Sequence, residues 1–392
     1  MRTVVVPGFA ATFISGGGRD LDISRLPQLA LAPGEHVKIT DENDHELGLG
    51  VGDPENARLR VFAVPADGFA KIDGALLGWR VERALALRKL LELPGDDHAY
   101  RIVHGAGDGL PGLACDVLGK TAVVYAYADG LRALGRQLAE AIVGFARLDG
   151  AVIKLRARGG ASEVEQDTIG TVPDKAVVTE HGMPLEVHPL GGLNSGVFTD
   201  MREQRRGLAR FVAGKRVLNL FSYTGALGLA AARAGAVSVT NVDTSSGVNA
   251  WAAGNFARSG FAAGPGGDPR ARFETGDASR FLQRAARDKE RYDVVLIDPP
   301  GASSAAGVSW ALGRDYPDLI AKAAAVIPPD GLLWLASNAA DVGALSKLAH
   351  KGLRTANRTG IVLEQGGLPP EYPTLVAQPA DRYLQICLLR IA

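Results

Sequence analysis

The run Arg216-Val217-Leu218-Asn219-Leu220-Phe221-Ser222-Tyr223-Thr224-Gly225-Ala226-Leu227-Gly228 leaves a chain few ways to fold. Val217, Leu218 and Leu220 lead into a polar, glycine-bearing turn, and Ala226 to Arg233 is alanine-rich. That order predicts a buried strand, a tight loop and a helix. Such a junction leaves backbone N–H groups free at the carboxyl edge of a parallel sheet, where doubly wound folds bind nucleotide-like ligands. A second strand, Ser238-Val239-Thr240-Asn241-Val242, ends on Asp243, at about the distance where a nucleotide fold puts its ribose-binding carboxylate. The fold class expected is α/β, with a Rossmann-like domain in the C-terminal half.

The loop also narrows the ligand. A dinucleotide site needs the G-x-G-x-x-G spacing to seat a pyrophosphate, and here only Gly225 and Gly228 remain of it. Bulky Phe221 and Tyr223 suit a ligand with an apolar or sulfonium arm, which points to S-adenosylmethionine as cofactor. Two further stations agree: Gly276-Asp277-Ala278 after the strand Arg272-Phe273-Glu274, and Asp298-Pro299-Pro300 after Tyr292 to Ile297. A lone aspartate at a strand end is more often a helix cap or a turn residue than a ligand group. Three in order, each closing a strand, argue for one lined sheet edge.

Length and charge set the frame. A chain of 392 residues suggests two or three domains. Lysine plus arginine and aspartate plus glutamate are 43 each, so no global field draws the protein to nucleic acid, although a local basic face is compatible with this balance. Cys115 and Cys387 lie far apart in apolar runs, as buried thiols in a reduced cytoplasm would. No run has the length of a membrane helix, and Pro7-Gly8 interrupts the apolar start Val4 to Ile14, against a signal peptide. The expected setting is cytoplasmic, with no membrane and no metal.

Residues 1–68 read as a small β-rich module, with glycine at alternate positions in Leu47 to Gly52. Residues 69–184 open with Trp79 to Leu91, whose apolar residues recur at helical spacing with Arg80, Arg83 and Arg88 among them. That helix is either a solvated face or one turned to RNA, with Arg83 and Arg88 as candidate contacts. The pattern after it is strand, strand, helix, strand, giving a middle α+β domain, and His104 before a glycine turn reads as structural. In the third domain, 185–392, Thr199 or Asp200 is placed to cap a helix whose first turns carry several arginines.

At this point the chain resembles a known family along nearly its whole length. Tyr100 to His104 with Gly107-Asp108-Gly109-Leu110-Pro111-Gly112-Leu113, Gly196 to Asp200 with Arg202 and Arg205, the 219–225 loop, Val242 to Ser245, Asp298-Pro299-Pro300 and Tyr383-Leu384 are similar to the bacterial large-subunit (23S) ribosomal RNA methyltransferases. The resemblance implies a PUA-like RNA-binding module at 1–68 and a class I S-adenosylmethionine-dependent domain at 185–392. It implies a cofactor held by Asp200, Arg202, Asn219, Phe221, Ser222, Tyr223, Thr224, Gly225, Asp243, Thr244, Asp277, Ala278 and Asp298. The implied partner is RNA, either 23S rRNA or a large-subunit assembly intermediate, and a homodimer is compatible with it.

The chain departs from that family in ways that bear on mechanism. Members that methylate carbon 5 of cytosine carry a cysteine near the strand after Asp-Pro-Pro, because that carbon needs a thiolate to activate it. Here Gly331 to Ala339 has none, and Ser337-Asn338 resembles the branch that methylates N7 of guanine. N7 already carries a lone pair, so alignment and electrostatics suffice. Asp298, Pro299 and Pro300 are the catalytic candidates, the carboxylate and carbonyls being able to accept from a base's amino group. Gly301 to Ser304 replaces the bulky residue usual after the prolines, which leaves Trp310 or Tyr372 as stacking faces for a flipped base. The competing readings are a cytosine C5 enzyme with another nucleophile, a noncatalytic RNA-binding descendant, a small-molecule methyltransferase and a nicotinamide dehydrogenase.

Overall fold

The computed structural model describes residues 1–95, 97–156, 165–264, 266–305, 308–339 and 343–392. These form two compact units, one of residues 1–180, 187–199 and 370–381, the other of 181–186, 200–369 and 382–392.

The first unit holds two five-stranded sheets. One is built from Arg2–Val5, Asp20–Asp22, His36–Thr40, Glu46–Asp53 and Arg58–Ala63, over a core that includes Val4, Ile14, Val37, Ile39, Leu59 and Val61. The alternating glycines of Glu46–Asp53 are needed for close approach: a β-carbon on Gly48 would lie 2.1 Å from the Ala63 carbonyl oxygen, and one on Gly52 would lie 2.6 Å from that of Ala32. The other sheet orders Gln166–Gly170, Gly150–Leu155, Thr121–Ala126, Leu113–Leu118 and Ala99–His104. Helix Arg132–Ala146 joins its parallel pair, Thr121–Ala126 and Gly150–Leu155. Helix Gly74–Leu90 shares the core of this sheet with Leu49, Val51, Phe62 and Ala63.

In the second unit, strands β1 (Arg216–Leu220), β2 (Ser238–Asp243), β3 (Arg272–Thr275), β4 (Val294–Ile297), β5 (Leu332–Ser337), β6 (Gly360–Gly366) and β7 (Gln385–Ile391) form one sheet in the order β3-β2-β1-β4-β5-β7-β6. The first five are parallel; β7 runs antiparallel to β5 and to β6. The helices are α1 (Arg202–Val212), α2 (Ala226–Arg233), α3 (Ser246–Arg258), α4 (Ala278–Arg287), α5 (Leu312–Ala324) and α6 (Leu345–Thr355). Residues of β1, β4 and β5 are buried nearly end to end, as strands covered by helices on both faces must be.

Register is what builds a site here. Leu220 pairs with Val242 on one side and with Ile297 on the other, and Ile297 pairs with Leu335. The residues that follow, Phe221, Asp243 and Asp298, therefore emerge together at the carboxyl edge, with neighbouring strands about 4.8 Å apart. Asp243 pairs with Thr275, which brings Asp277 to the same edge.

Candidate active site

The loop after β1 carries backbone strain. Phe221 and Tyr223 adopt φ values of 57° and 47°, and Gly225 one of 77°. The left-handed region disfavours bulky residues, at a cost on the order of 1–3 kcal/mol each. Several bonds hold the loop in it. Ser222 N–H donates to the Val242 carbonyl at 3.1 Å, Gly225 N–H to the Ser222 carbonyl at 2.9 Å, and Asn255 Nδ2 on α3 to the Thr224 carbonyl at 3.0 Å. Tyr223 N–H donates to Asp243 Oδ2 at 3.0 Å, while Ser245 N–H donates to Asp243 Oδ1 at 3.0 Å. Asp243 thus fixes two loops through one backbone bond per oxygen, and each oxygen keeps a lone pair for a hydroxyl. The Ser222 hydroxyl and the Asn249 amide oxygen are buried with no hydrogen-bond partner, polar capacity of the kind that a bound polar ligand takes up.

Asn219, expected to touch cofactor, is 2% exposed and donates to Asn241 Oδ1 at 3.0 Å. A β-carbon on Gly228 would come 2.2 Å from that oxygen, so the buried asparagine pair requires glycine on α2 and sets how closely the helix approaches the strands. Thr224 is buried and Thr244 exposed. Asp277 caps α4, accepting from Arg280 N–H at 2.9 Å, and Ala278 is buried behind it.

On the other side of β1, Asp298 is partly exposed, Pro299 buried and Pro300 exposed. Burial and the nearby Asp200 carboxylate push the Asp298 carboxyl up to about 7, against the opposing pull of Arg205. Asp200 accepts from the Tyr383 hydroxyl at 2.8 Å. It does not cap α1, nor does Thr199; the residue at that position is Met201, and the Thr199 hydroxyl bonds Asp116 at 2.6 Å instead. Arg202 and Arg205 are buried, at 7% and 4% exposure. Arg202 donates to Glu203 at 2.9 Å and lies 3.3 Å from His181 Nε2. Ser337 is buried and accepts from Ala339 N–H at 3.1 Å. Asn338 is exposed, its amide oxygen 3.5 Å from where a β-carbon on Gly301 would sit, so it flanks the proline turn.

Arg83, Arg88 and Tyr372 lie in the first unit, and two of them correct the sequence reading. Arg88 is 1% exposed; it makes a bidentate pair with Asp108 at 2.6 and 2.9 Å and donates to the carbonyls of Arg101 and Glu371. No donor is left for a phosphate. Tyr372 is 3% exposed, with the Arg101 guanidinium 4.6 Å from its ring centre and His104 at 4.8 Å, so it offers no stacking face. Arg83 is exposed beside Trp79. The side chain of Trp310 lies outside the described residues. Burial, with Arg101 and Arg88 nearby, pushes the His104 imidazole down to about 2, as a structural histidine requires.

Sequence reasoning missed Tyr316 on α5. It is fully buried, and its hydroxyl donates to the carbonyls of Ile297 and Ala336 at 3.0 Å each, tying the ends of β4 and β5 behind Asp298 and Ser337. A tyrosine in an otherwise apolar helix face gives no sequence signal that separates it from core. Asn249 and Asn255, six apart on α3, were a better clue, since buried amides need partners.

The family model for S-adenosylmethionine-dependent methyltransferases matches residues 112–389. The chain belongs to that family. S-adenosylmethionine is the cofactor of this enzyme, and the edge described above, with its orphaned hydroxyl and two-loop carboxylate, fits such a group. The enzyme is 28% identical over 360 residues to ribosomal RNA large subunit methyltransferase I of Klebsiella pneumoniae (strain 342), covering 90% of this chain and 88% of that one. The protein of the same name from Photobacterium profundum is 28% identical over 376 residues, with 93% and 92% covered. In fold, it matches SMU.776, solved in complex with SAH, with a TM-score of 0.89 at 24% identity over the whole of both chains.

Proposed function

We propose that this methyltransferase modifies a base of 23S rRNA in the cytoplasm, with N7 of guanine as the acceptor. The RNA class is supported by the relatives named ribosomal RNA large subunit methyltransferase I, matched over nine-tenths of the chain. The observation that carries the acceptor is the state of the two thiols. Cys387 is 1% exposed on β7, in register with Leu335, and burial raises its thiol; Cys115 is fully buried and its thiol is raised further. A buried, protonated thiol is no nucleophile, so a target that needs covalent activation is disfavoured.

Asp243 would hold the ribose, Phe221 to Gly225 the methionine arm, Asp277 the adenine, and Asp200 with Arg202 the outer wall. When bound, the cofactor supplies a methyl group on a sulfonium. Asp298 and the carbonyls of the proline turn accept from the base's amino group and aim its lone pair, with Asn338 at the rim. The base must leave its stack to reach this edge. In the first unit, the N-terminal sheet would serve as the PUA-like RNA module, with Arg83 on the RNA side.

The test is to incubate the protein with labelled S-adenosylmethionine and unmodified 23S rRNA, with Asp298→Ala in parallel, then digest and identify the labelled nucleoside by mass spectrometry. Label in 7-methylguanosine, lost in the variant, is expected. Label in 5-methylcytidine would overturn the acceptor, and no label despite cofactor binding would overturn the RNA.

A further inference from the structure

Buried arginines in the first unit are matched in two ways. Arg88 and Arg101 each take both oxygens of one aspartate, Asp108 and Asp116. Arg60 takes two aspartates, Asp53 and Asp20, at 2.7 Å each. Arg19 and Arg80 must share one. Asp67 Oδ2 accepts from Arg80 Nη2 at 2.6 Å and from Val64 N–H at 2.9 Å, while Arg19 Nη2 stands off the same oxygen at 3.7 Å, beyond a hydrogen bond. Arg19 Nη1 and Arg80 Nε are buried with no hydrogen-bond partner. Burial works against the charge of all three; for Arg60 the two aspartates outweigh it and raise the guanidinium, whereas for Arg19 and Arg80 it prevails and lowers them. Both stay protonated at any working pH.

A third cation joins them. Arg83 lies one turn from Arg80 on helix Gly74–Leu90, and both guanidiniums rest against the Trp79 ring, at 5.0 and 4.6 Å from its centre. An aromatic face holds a guanidinium in place without neutralising it. Among the described residues, Asp67 is the one carboxylate paired with any of the three. Arg83 is exposed, and the side chains of Arg19 and Arg80 keep 13% and 8% of their surface. The backbone nearby has no donor to spare: the N–H groups of Gly16, Gly17 and Gly18 bond carbonyls of the helix before them, and Arg19 N–H bonds Gln378 Oε1. An anion here is held by side chains.

We propose that Arg19, Arg80 and Arg83, grouped around Asp67, form a phosphate-binding corner that seats one backbone phosphate of the RNA substrate. This rests on RNA as the substrate and deepens that reading by giving the RNA a built contact within the first unit. A phosphodiester brings one negative charge and two acceptor oxygens, which suits an excess of guanidiniums with unused N–H groups. Arg83 meets the phosphate from the surface, and Arg19 turns to it by giving up its long contact with Asp67. Arg80 stays in place, because a β-carbon on Gly109 would lie only 2.6 Å from its guanidinium and its Nη2 is bound to Asp67 and to the Phe62 carbonyl. Its part is to occupy Asp67, so that the other two cations remain for the ligand.

Binding of the full chain to unmodified 23S rRNA, measured against salt concentration, tests this. In Arg19→Gln and in Arg83→Gln the slope of log affinity against log salt should become shallower by about one. Arg19→Lys, which keeps the charge, should keep the slope. Arg136→Gln removes a charge from the exposed pair with Glu140 on another helix and should leave the slope as it is. Unaltered S-adenosylmethionine affinity in Arg19→Gln would show that the variant is folded. Inorganic phosphate at constant ionic strength is the second probe, read as the melting temperature of the wild type and of Arg19→Gln. Lowered slopes support the RNA contact whether or not free phosphate stabilises the protein. Phosphate stabilisation lost in Arg19→Gln, with slopes unaltered, would make free phosphate the occupant and overturn the RNA contact. Slopes equal to the wild type in both glutamine variants, or an equal drop in Arg136→Gln, would overturn the proposal alone. Failure of the wild type to bind the rRNA would overturn the reading on which it rests.

Discussion

Two glycine- and aspartate-bearing stretches stand out in this chain, and the fold uses them in opposite ways. Around Gly105 to Leu113, polar capacity is consumed internally: Asp108 receives both arms of Arg88 and the His104 N–H, at 2.6 to 2.9 Å. Gly107 and Gly109 are there to admit neighbours, since a β-carbon would lie 1.8 Å from the Pro373 carbonyl oxygen in one case and 2.6 Å from the Arg80 guanidinium in the other. At the carboxyl edge of the second unit, Phe221 and Tyr223 are held in left-handed backbone, the Ser222 hydroxyl is buried without a partner, and Asp298 sits beside another carboxylate. A motif whose bonds close on themselves is architecture. A motif with leftover polar capacity is waiting for a ligand.

That contrast breaks first where the bonds are closed. Arg88→Met should be the most damaging change, leaving Asp108 buried without its cation at a cost of about 3–5 kcal/mol. The loss should appear as a large drop in the denaturation midpoint of the first unit. Cofactor affinity of the folded protein should be unchanged; a matching loss of affinity would show that the stretch around Asp108 belongs to the site after all.

Asp243→Ala should do the reverse, with a smaller total effect. Cofactor affinity should fall by roughly ten- to a hundredfold, about 1–3 kcal/mol, because ribose hydroxyls lose their acceptor. The loops freed from Tyr223 N–H and Ser245 N–H add a modest loss of stability. Calorimetry that shows unaltered affinity would remove Asp243 from the ribose role.

The pH dependence of stability sharpens the comparison further. Because the Asp298 carboxyl is raised to about 7, the native state without cofactor holds a proton that the unfolded chain has already released above about pH 4. Stability therefore declines as pH rises between these values, and the penalty is complete above pH 7. Asp298→Asn should raise the melting temperature by about 2–4 °C at pH 8 and leave it nearly unchanged at pH 4. No difference between the two pH values would mean that the carboxyl titrates normally. Tyr383→Phe should be the mildest, costing about 0.5–1.5 kcal/mol of the Asp200 bond and shifting cofactor affinity by a few-fold at most.

How much of this was legible from the sequence follows the same division. The strand, loop and helix at 216–233 and the aspartates closing successive strands are local patterns of period and turn chemistry, and the structure places β1, α2 and the sheet edge there. What the sequence left hidden depends on partners far along the chain. Arg88 sits in a helix whose arginines look alike in sequence, but its partners are Asp108 and a carbonyl at Glu371, 283 positions away. Tyr372 resembled a stacking face because an aromatic beside prolines carries no mark of burial, yet it packs on Arg101 and His104. Asn219 lies next to the loop, and its bond to Asn241 on the adjacent strand is a further role that its place in the sequence does not announce. Tyr316 acts through two main-chain carbonyls, which no side-chain pattern announces.

The most direct test of the account is a crystal structure of the full chain with S-adenosylhomocysteine bound. The account predicts the ribose hydroxyls on Asp243, the ligand arm over Phe221 to Gly225 and its sulfur toward Asp298, with the Ser222 hydroxyl taken up by ligand or ordered water. A ligand seated away from the carboxyl edge, or a ribose without Asp243, would contradict it.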